Sequence, residues 1–394
     1  MIYNDFQGKK ISMLGFGAMR LPLAADGSVD EVQTAEMVRY AMANGVNYFD
    51  TAYPYHGGHS ELVLGRILRQ YPREKFFLAT KYPGHQISKS YDPAAVFEDQ
   101  LKKCGVEYFD FYLLHNVYEN SVKTYMDPRW GILDYFREQK RLGRIRHLGF
   151  STHGGLDTMR TFLDFCGDDM EFCQIQLNYL DWTLQDAKAK YEMLVERKIP
   201  VWVMEPVRGG RLARLTEAEE TALKALRPER TPAAWALRYL QGLEHVKVVL
   251  SGMSDLAQMR ENVNAFERRE TLSPEEMQTL MDIAEEMKDS IPCTACRYCC
   301  GGCPQGLDIP MLLGIYNEIR FSPSTNTAMR LDALPLDKRP DACVGCGKCA
   351  MVCPQAIDIP KALRELAEAL KKIPSWADVC RQREEAQRKL AGKS

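Results

Sequence analysis

The hexapeptide GFGAMR, residues 15–20, closes the first apolar run of the chain, where a dinucleotide-binding α/β sheet keeps its phosphate-binding turn. Such a turn reads G-x-G-x-x-G, and here Arg20 stands where the third glycine belongs. No such pattern appears elsewhere, so a doubly wound sheet gives way to its rival. Strand-like runs recur at 11–15 (ISMLG), 46–52 (VNYFDTA), 75–81 (KFFLATK), 109–115 (FDFYLLH) and 145–151 (IRHLGFS). They continue at 172–178 (FCQIQLN), 199–205 (IPVWVME) and 246–252 (VKVVLSG), with helix-like stretches between them. Eight buried runs alternating with helices predict a (β/α)8 barrel of the TIM type over residues 1–272.

Chemistry in such barrels sits at the C-terminal ends of the strands. Reading those ends gives Asp50 after the second run, Lys81 after the third and His115 after the fourth, with Tyr55 on the loop beyond Asp50. Singly, Asp50 reads as a helix cap, Lys81 as a surface residue and His115 as a core histidine. Four titratable groups on one face read as acid–base machinery. A lysine beside a phenol stabilises the phenolate, which makes Tyr55 a usable proton donor near neutral pH, and Asp50 would hold the lysine.

The other informative region lies beyond residue 290. CTACRYCCGGCPQGLDIP (293–310) and CVGCGKCAMVCPQAIDIP (343–360) repeat one pattern, C-x2-C-x2-C-x3-C-P, at an offset of 50 residues. Three thiolates in a tight loop reach three irons of one cubane, and in two-cluster ferredoxins the fourth cysteine of each run crosses to the other cluster. The expected sets are Cys293, Cys296, Cys299 and Cys353 for one 4Fe–4S cluster, and Cys343, Cys346, Cys349 and Cys303 for the other. Zinc ribbons also use paired C-x2-C motifs, but they have no need of a third cysteine step and a Cys-Pro ending twice over. Cys300 is an extra thiol in the first run, and Cys104, Cys166, Cys173 and Cys380 show no ligand spacing. Both repeats end in Asp-Ile-Pro, a helix-start signal, before MLLGIYNEIR and KALRELAEALKK. The tail thus reads as a small, mainly helical dicluster ferredoxin-like domain at 291–375, followed by a helical C-terminal tail at 376–394. A linker helix at 273–290 is capped by Ser273, with proline first and acidic residues in its opening turn.

Bulk properties suit this division. The 394 residues are 45% hydrophobic and 26% charged, a globular balance with ample core material. A formal charge of −2 argues against nucleic acid as a partner, and no apolar run approaches the roughly 18 residues of a membrane span. The opening MIYNDFQGKK lacks a signal peptide's apolar stretch, which predicts a cytoplasmic protein in which eight of the 13 cysteines serve metal and the rest are thiols rather than disulfides.

VNYFDTAYPYHGGHSELVLGRIL, FLATK, FDFYLLH and LGFST together resemble the aldo-keto reductase family over nearly all of residues 1–265. The two cluster motifs resemble its ferredoxin-containing branch. The family's aspartate, tyrosine, lysine and histidine tetrad falls on Asp50, Tyr55, Lys81 and His115. The resemblance implies reduction of a small-molecule carbonyl, or oxidation of an alcohol, with NADP or NAD lying across the barrel mouth. Tyr55 would protonate the oxygen while His115 orients it. It places the carboxamide on Ser151 and Gln174, and the adenosine on Ser251, Gln258, Glu261 and Asn262 of SGMSDLAQMREN. Further cofactor contacts would come from Gly17, Met19, Arg20, Asp50, Met204, Pro206, Arg208 and Gly252.

Three departures stand against that pattern. Met204 occupies the position of the family's stacking aromatic. The usual 2′-phosphate positions fall on Gly252, Ser254 and Gln258, leaving Arg260 nearby. Glu205 adds a carboxylate, and RGGR (208–211) reads either as a pyrophosphate cradle or as a solvated loop. Nicotinamide exchanges hydride and a cluster single electrons, so three schemes follow. In the first, a nicotinamide-dependent reductase exchanges electrons through its clusters with the active site or a redox carrier protein. In the second, clusters feed substrate or a flavin without nicotinamide. In the third, the ferredoxin domain is a structural or docking module on an ordinary reductase. The loop HNVYENSVKTYMDPRW after His115 is aromatic enough to wall a substrate pocket.

Overall fold

The computed structural model describes residues 1–86, 88–287, 291, 293, 297, 299–321, 323–353 and 357–391. Among these residues ten strands run in chain order. An antiparallel hairpin, β1 (Tyr3–Phe6) and β2 (Lys9–Ser12), precedes β3 (Leu14–Gly17), β4 (Tyr48–Asp50), β5 (Phe77–Tyr82) and β6 (Phe109–Leu114). After these come β7 (Ile145–Thr152), β8 (Cys173–Gln176), β9 (Val201–Met204) and β10 (Val246–Ser251). Strands β3 to β10 pair in parallel in chain order, and β10 closes the ring by pairing with both β9 and β3. Every residue of β3, β4 and β6 is buried, as expected for strands covered by side chains inside and helices outside.

The first expected run, 11–15, spans two strands rather than one. Ile11 and Ser12 finish β2, and the barrel begins at Leu14. Between them the Ser12 hydroxyl donates to the Leu14 carbonyl at 2.8 Å, and the Ser12 N–H donates to Asn47 Oδ1 at 2.8 Å, which turns the chain. Gln7 and Gly8, at φ of 50° and 79°, make the two-residue turn that joins β1 to β2 with the twist a hairpin needs. This hairpin closes the barrel floor. Phe6 is buried against Trp202 at 5.1 Å, Phe111 at 5.6 Å and His147 at 4.9 Å between ring centroids. The Ile2 N–H bonds the Phe266 carbonyl at 2.8 Å, which ties the start of the barrel to its last helix.

Outer helices start on side-chain caps. Asp30 accepts from the Gln33 N–H ahead of Glu31–Ala43, and Asp92 from the Ala95 N–H ahead of Pro93–Cys104. Ser273 and Glu276 exchange reciprocal bonds at 3.2 and 2.8 Å ahead of helix Pro274–Glu286. The expected helix 273–290 therefore stops at Glu286, and residues 288–290 of that expectation lie outside the described residues. The chain divides into two compact units, Met1–Met281 and Asp282–Ser394, so the division falls inside this helix.

The second unit is built on the repeat. Asp308 and Asp358 cap helices Ile309–Phe321 and Ile359–Leu370, accepting from the N–H of Met311 and Lys361 at 3.4 and 3.2 Å. The two helices share one buried cluster through Ile309, Leu312, Leu313, Tyr316, Ile359, Ala362, Leu363 and Leu366. Tyr316 also donates to Glu365 at 2.8 Å. Helix Thr325–Asp332 follows the first of the two helices and Trp376–Ala391 the second.

Candidate active site and cluster centre

Asp50 ends β4, Lys81 lies near the end of β5, and His115 follows β6 directly, its N–H bonded to the Tyr82 carbonyl at 3.0 Å. Tyr55 opens a short turn, Tyr55–Gly58, a few residues past Asp50. These four side chains come together. Lys81 is wholly buried, and its Nζ donates to Asp50 Oδ1 at 2.5 Å and to the Thr51 carbonyl at 2.7 Å. The same ammonium lies 5.0 Å from the centre of the Tyr55 ring. Tyr55 in turn meets His115 edge to face at 5.8 Å. Burial pushes the Lys81 ammonium below its ordinary range, and Asp50 resists that fall. Burial pushes the Asp50 carboxyl up, and Lys81 opposes it.

Three groups that the sequence reading did not single out complete this surround. His85, buried on the loop after β5, packs its ring 4.4 Å from that of His115. The Tyr125 hydroxyl donates to the carbonyls of His115 at 2.7 Å and Tyr82 at 3.1 Å, pinning the β6 loop to β5. Behind Lys81, Gln100 donates to the Lys81 carbonyl at 3.0 Å and to Glu61 at 2.7 Å, and Thr80 also donates to Glu61 at 2.6 Å. The KYPGHQ stretch holds His85 four residues beyond Lys81, which was the available signal. Glu61 and Gln100 are helical residues with none.

The residues expected at a nicotinamide carboxamide also meet. Ser151 on β7 and Gln174 on β8 are register partners. The Ser151 hydroxyl accepts from the Asn116 N–H at 2.8 Å, which leaves its own proton to donate. Gln174 Oε1 is buried with no hydrogen bond, while its Nε2 donates to the Met204 sulfur at 3.5 Å. A hydroxyl donor beside an orphaned amide acceptor complements a carboxamide, so these residues fit that group. Met204 therefore packs with the carboxamide pair at the end of β9.

The residues expected around the rest of the cofactor are engaged with their neighbours. Asn262 donates to Ser251 at 2.8 Å, Glu261 accepts from Thr231, and Gln258 bonds Asp255 and Ser254 at 2.7 and 3.0 Å. Arg208 is buried, donating to Asp181 at 2.9 Å, and that carboxylate also takes bonds from Gln176 and Asn178. Arg20 approaches Glu205 at 3.6 Å, Gly17 pairs with Asp50, Pro206 is buried and Met19 is exposed. Gly252 lies against Arg20, and Arg260 lies over the Tyr40 ring.

In the second unit, Cys303, Cys343, Cys346 and Cys349 line one cavity with Leu307, Ile309, Val344, Pro360 and Leu363. Cys303 belongs to the first motif and the other three to the second, as crossed ligation requires. A four-thiol donor set within apolar walls fits a 4Fe–4S cluster. Cys293, Cys299 and Cys353 gather with Cys300 on the apolar core of this unit, and Cys296 lies outside the described residues. Arg297 and Gly347, at equivalent positions of the two loops, both hold positive φ, 65° and 75°.

The ends of the barrel strands thus bring Asp50, Tyr55, Lys81 and His115 together, and the second unit carries the repeated cysteine motif. A model of the aldo/keto reductase family matches residues 13–285, and a model of the 4Fe-4S dicluster domain matches residues 292–357. The chain belongs to the aldo/keto reductase family and carries a 4Fe–4S dicluster domain. An L-galactose dehydrogenase from Arabidopsis thaliana is 27% identical over 70% of this chain and 90% of its own length. The holo form of an aldo-keto reductase from Bacillus halodurans is 27% identical, with a TM-score of 0.56 over 70% of this chain and 93% of that one. An aldo-keto reductase from Klebsiella pneumoniae in complex with NADPH shares the fold at 19% identity, with a TM-score of 0.56 over 72% of this chain and 96% of that one. Among the described residues no helix is long and apolar enough to cross a membrane.

Proposed function

We propose that the barrel interconverts a carbonyl and an alcohol with Tyr55 as general acid and base, and that the clusters exchange single electrons with a redox carrier and, through a one-to-two-electron converter such as flavin, with the barrel. The contact of Lys81 with both Asp50 and the Tyr55 ring carries this reading. A bound nicotinamide supplies the hydride to the carbonyl carbon, as the NADPH complex of the Klebsiella relative suggests. Tyr55 gives its hydroxyl proton to the carbonyl oxygen, and the Lys81 ammonium stabilises the negative charge left on the phenolate. His115, set edge-on to Tyr55, orients the substrate oxygen, and Asp50 holds Lys81 in place. Ser151 and Gln174 fix the carboxamide so that one ring face meets the substrate. The eight cysteine thiolates of the second unit would hold two clusters, which would supply one-electron chemistry.

Tyr55→Phe tests the chemistry against a panel of aldehydes and ketones with NADPH and NADH. Turnover should fall about 10²- to 10⁴-fold, the usual contribution of a positioned acid, while nicotinamide binding persists. Unchanged turnover would remove Tyr55 from the role. A second reading has electrons reach the substrate, or a flavin, from the clusters without nicotinamide. The Met204 thioether at the stacking position and the engaged Gln258 amide favour it. Equilibrium binding of both nicotinamides separates the two readings, since the second expects neither to bind.

A further inference from the structure

The interior of the barrel, between the quartet and the floor, holds polar atoms that the chemistry described so far does not use. Tyr48 and Asp50 alternate along β4 and so share its inner face. The Tyr48 ring lies 5.1 Å from Phe111 and 6.2 Å from Trp202 of β9, within an otherwise apolar cluster. Among the described residues, Tyr48 Oη, Trp202 Nε1 and Asp50 Oδ2 are all buried without a hydrogen-bond partner. They are neighbours, since the Asp50 charge pushes the Tyr48 phenol up beyond the effect of burial and the Trp202 indole pulls it back. Two donors and one acceptor thus stay open in one apolar space. Unpaired polar atoms are rare in such places, and a buried water commonly satisfies them.

We propose that Tyr48 and Trp202 hold one internal water against Asp50 Oδ2, and that Tyr48 is thereby a positioning residue for the quartet. That role rests on Tyr55 acting as acid and base, and it extends the same site inward. The indole N–H and the phenol O–H donate to the water oxygen, and the water donates to Asp50, three bonds in all. Asp50 Oδ1 already takes the Lys81 ammonium at 2.5 Å, so both carboxylate oxygens are then satisfied. A carboxylate held in this way keeps its charge despite burial, which keeps the ammonium beside the Tyr55 ring charged as well. Other charged groups around this space are engaged elsewhere. Asp110 takes Arg73 at 2.6 Å and the Leu78 N–H at 2.9 Å, and His147 meets Glu171 at 3.0 Å.

Two measurements on the cluster-loaded full chain test this. A high-resolution crystal structure should show one ordered water within hydrogen-bond distance of all three atoms. No water there, or a water that misses Asp50, would overturn the proposal. Tyr48→Phe removes the hydroxyl and keeps the ring. Without that donor the Asp50–Lys81 pair leans toward its neutral form, the phenolate loses support, and Tyr55 ionises at higher pH. Alcohol oxidation needs the phenolate, so the rising limb of its pH profile should move up by about one unit. At a fixed pH below that limb, kcat/KM should fall about tenfold, with nicotinamide affinity unchanged. A purely structural loss would lower the rate at every pH and leave the midpoint in place, and that result would overturn the positioning role. A parent that turns over no carbonyl or alcohol, or full turnover in Tyr55→Phe, would strike the acid–base reading instead, while the crystal structure still decides the water.

Discussion

Lys81 has no exposed surface, and its carboxylate partner Asp50 has almost none. Removing one member of a buried pair leaves the other charge unmatched in a poor solvent. Lys81→Met should therefore cost about 3–5 kcal/mol of stability in denaturant unfolding, besides its effect on turnover. A different carboxylate contributes to the acid limb. Burial pushes the Glu171 carboxyl up, yet bonds from His147, Lys140, Gln7 and the Leu148 N–H outweigh it and hold the group at about 2, below its ordinary 4.5. Its contribution is complete above about pH 4.5, where folded and unfolded chains both carry the charge. It is lost as the pH falls toward 2, because the unfolded chain takes up the proton first. Glu171→Gln should flatten that limb by up to about 3 kcal/mol in denaturant melts between pH 5 and 2. At this scale Asp50, Lys81 and His115 were legible because strand ends can be counted along the chain. His85 was not, because its loop carries no register that aims a side chain.

At the scale of elements, the alternation of apolar runs announced eight strands, while the floor of the barrel was hidden. ISMLG is apolar enough to pass for one strand, and the bend at Ser12 depends on Asn47, thirty-five residues away. The hairpin does more than seal an opening, since Phe6 fills the space between Phe111, Trp202 and His147. Phe6→Ala should leave a cavity there and cost about 3–5 kcal/mol. Thermal unfolding reads that loss, and because Phe6 lies at the end opposite the quartet, carbonyl turnover should persist below the lowered melting temperature. The buried bond of Arg208 to Asp181 was equally illegible. RGGR reads as a loop in sequence, and only the fold brings it to Asp181.

At the scale of the whole molecule, two units each carry a core of their own, and a 50-residue repeat explains most of the second. Here the sequence was most direct, because cysteine spacing is set by the cubane rather than by packing. The crossed assignment goes further than spacing, since Cys303 of the first motif lines a cavity with three cysteines of the second. Cys303→Ser should therefore disturb the cluster of the other motif. Iron content should fall from about eight atoms per chain toward about four, and the EPR signal that survives should belong to the Cys293-side cluster. Loss of the Cys293-side signal instead would mean that each motif keeps its own cluster.

The hydrogen bond from Ile2 to Phe266, with the pairing of β10 to β3, also sets an order of events during synthesis. Synthesis runs from the N-terminal side, so β3 and the residue before the hairpin lack these partners until β10 and the helix after it have emerged. Only then can the ring shut. The cysteine motifs leave the exit tunnel later still, after the barrel has had its chance to close.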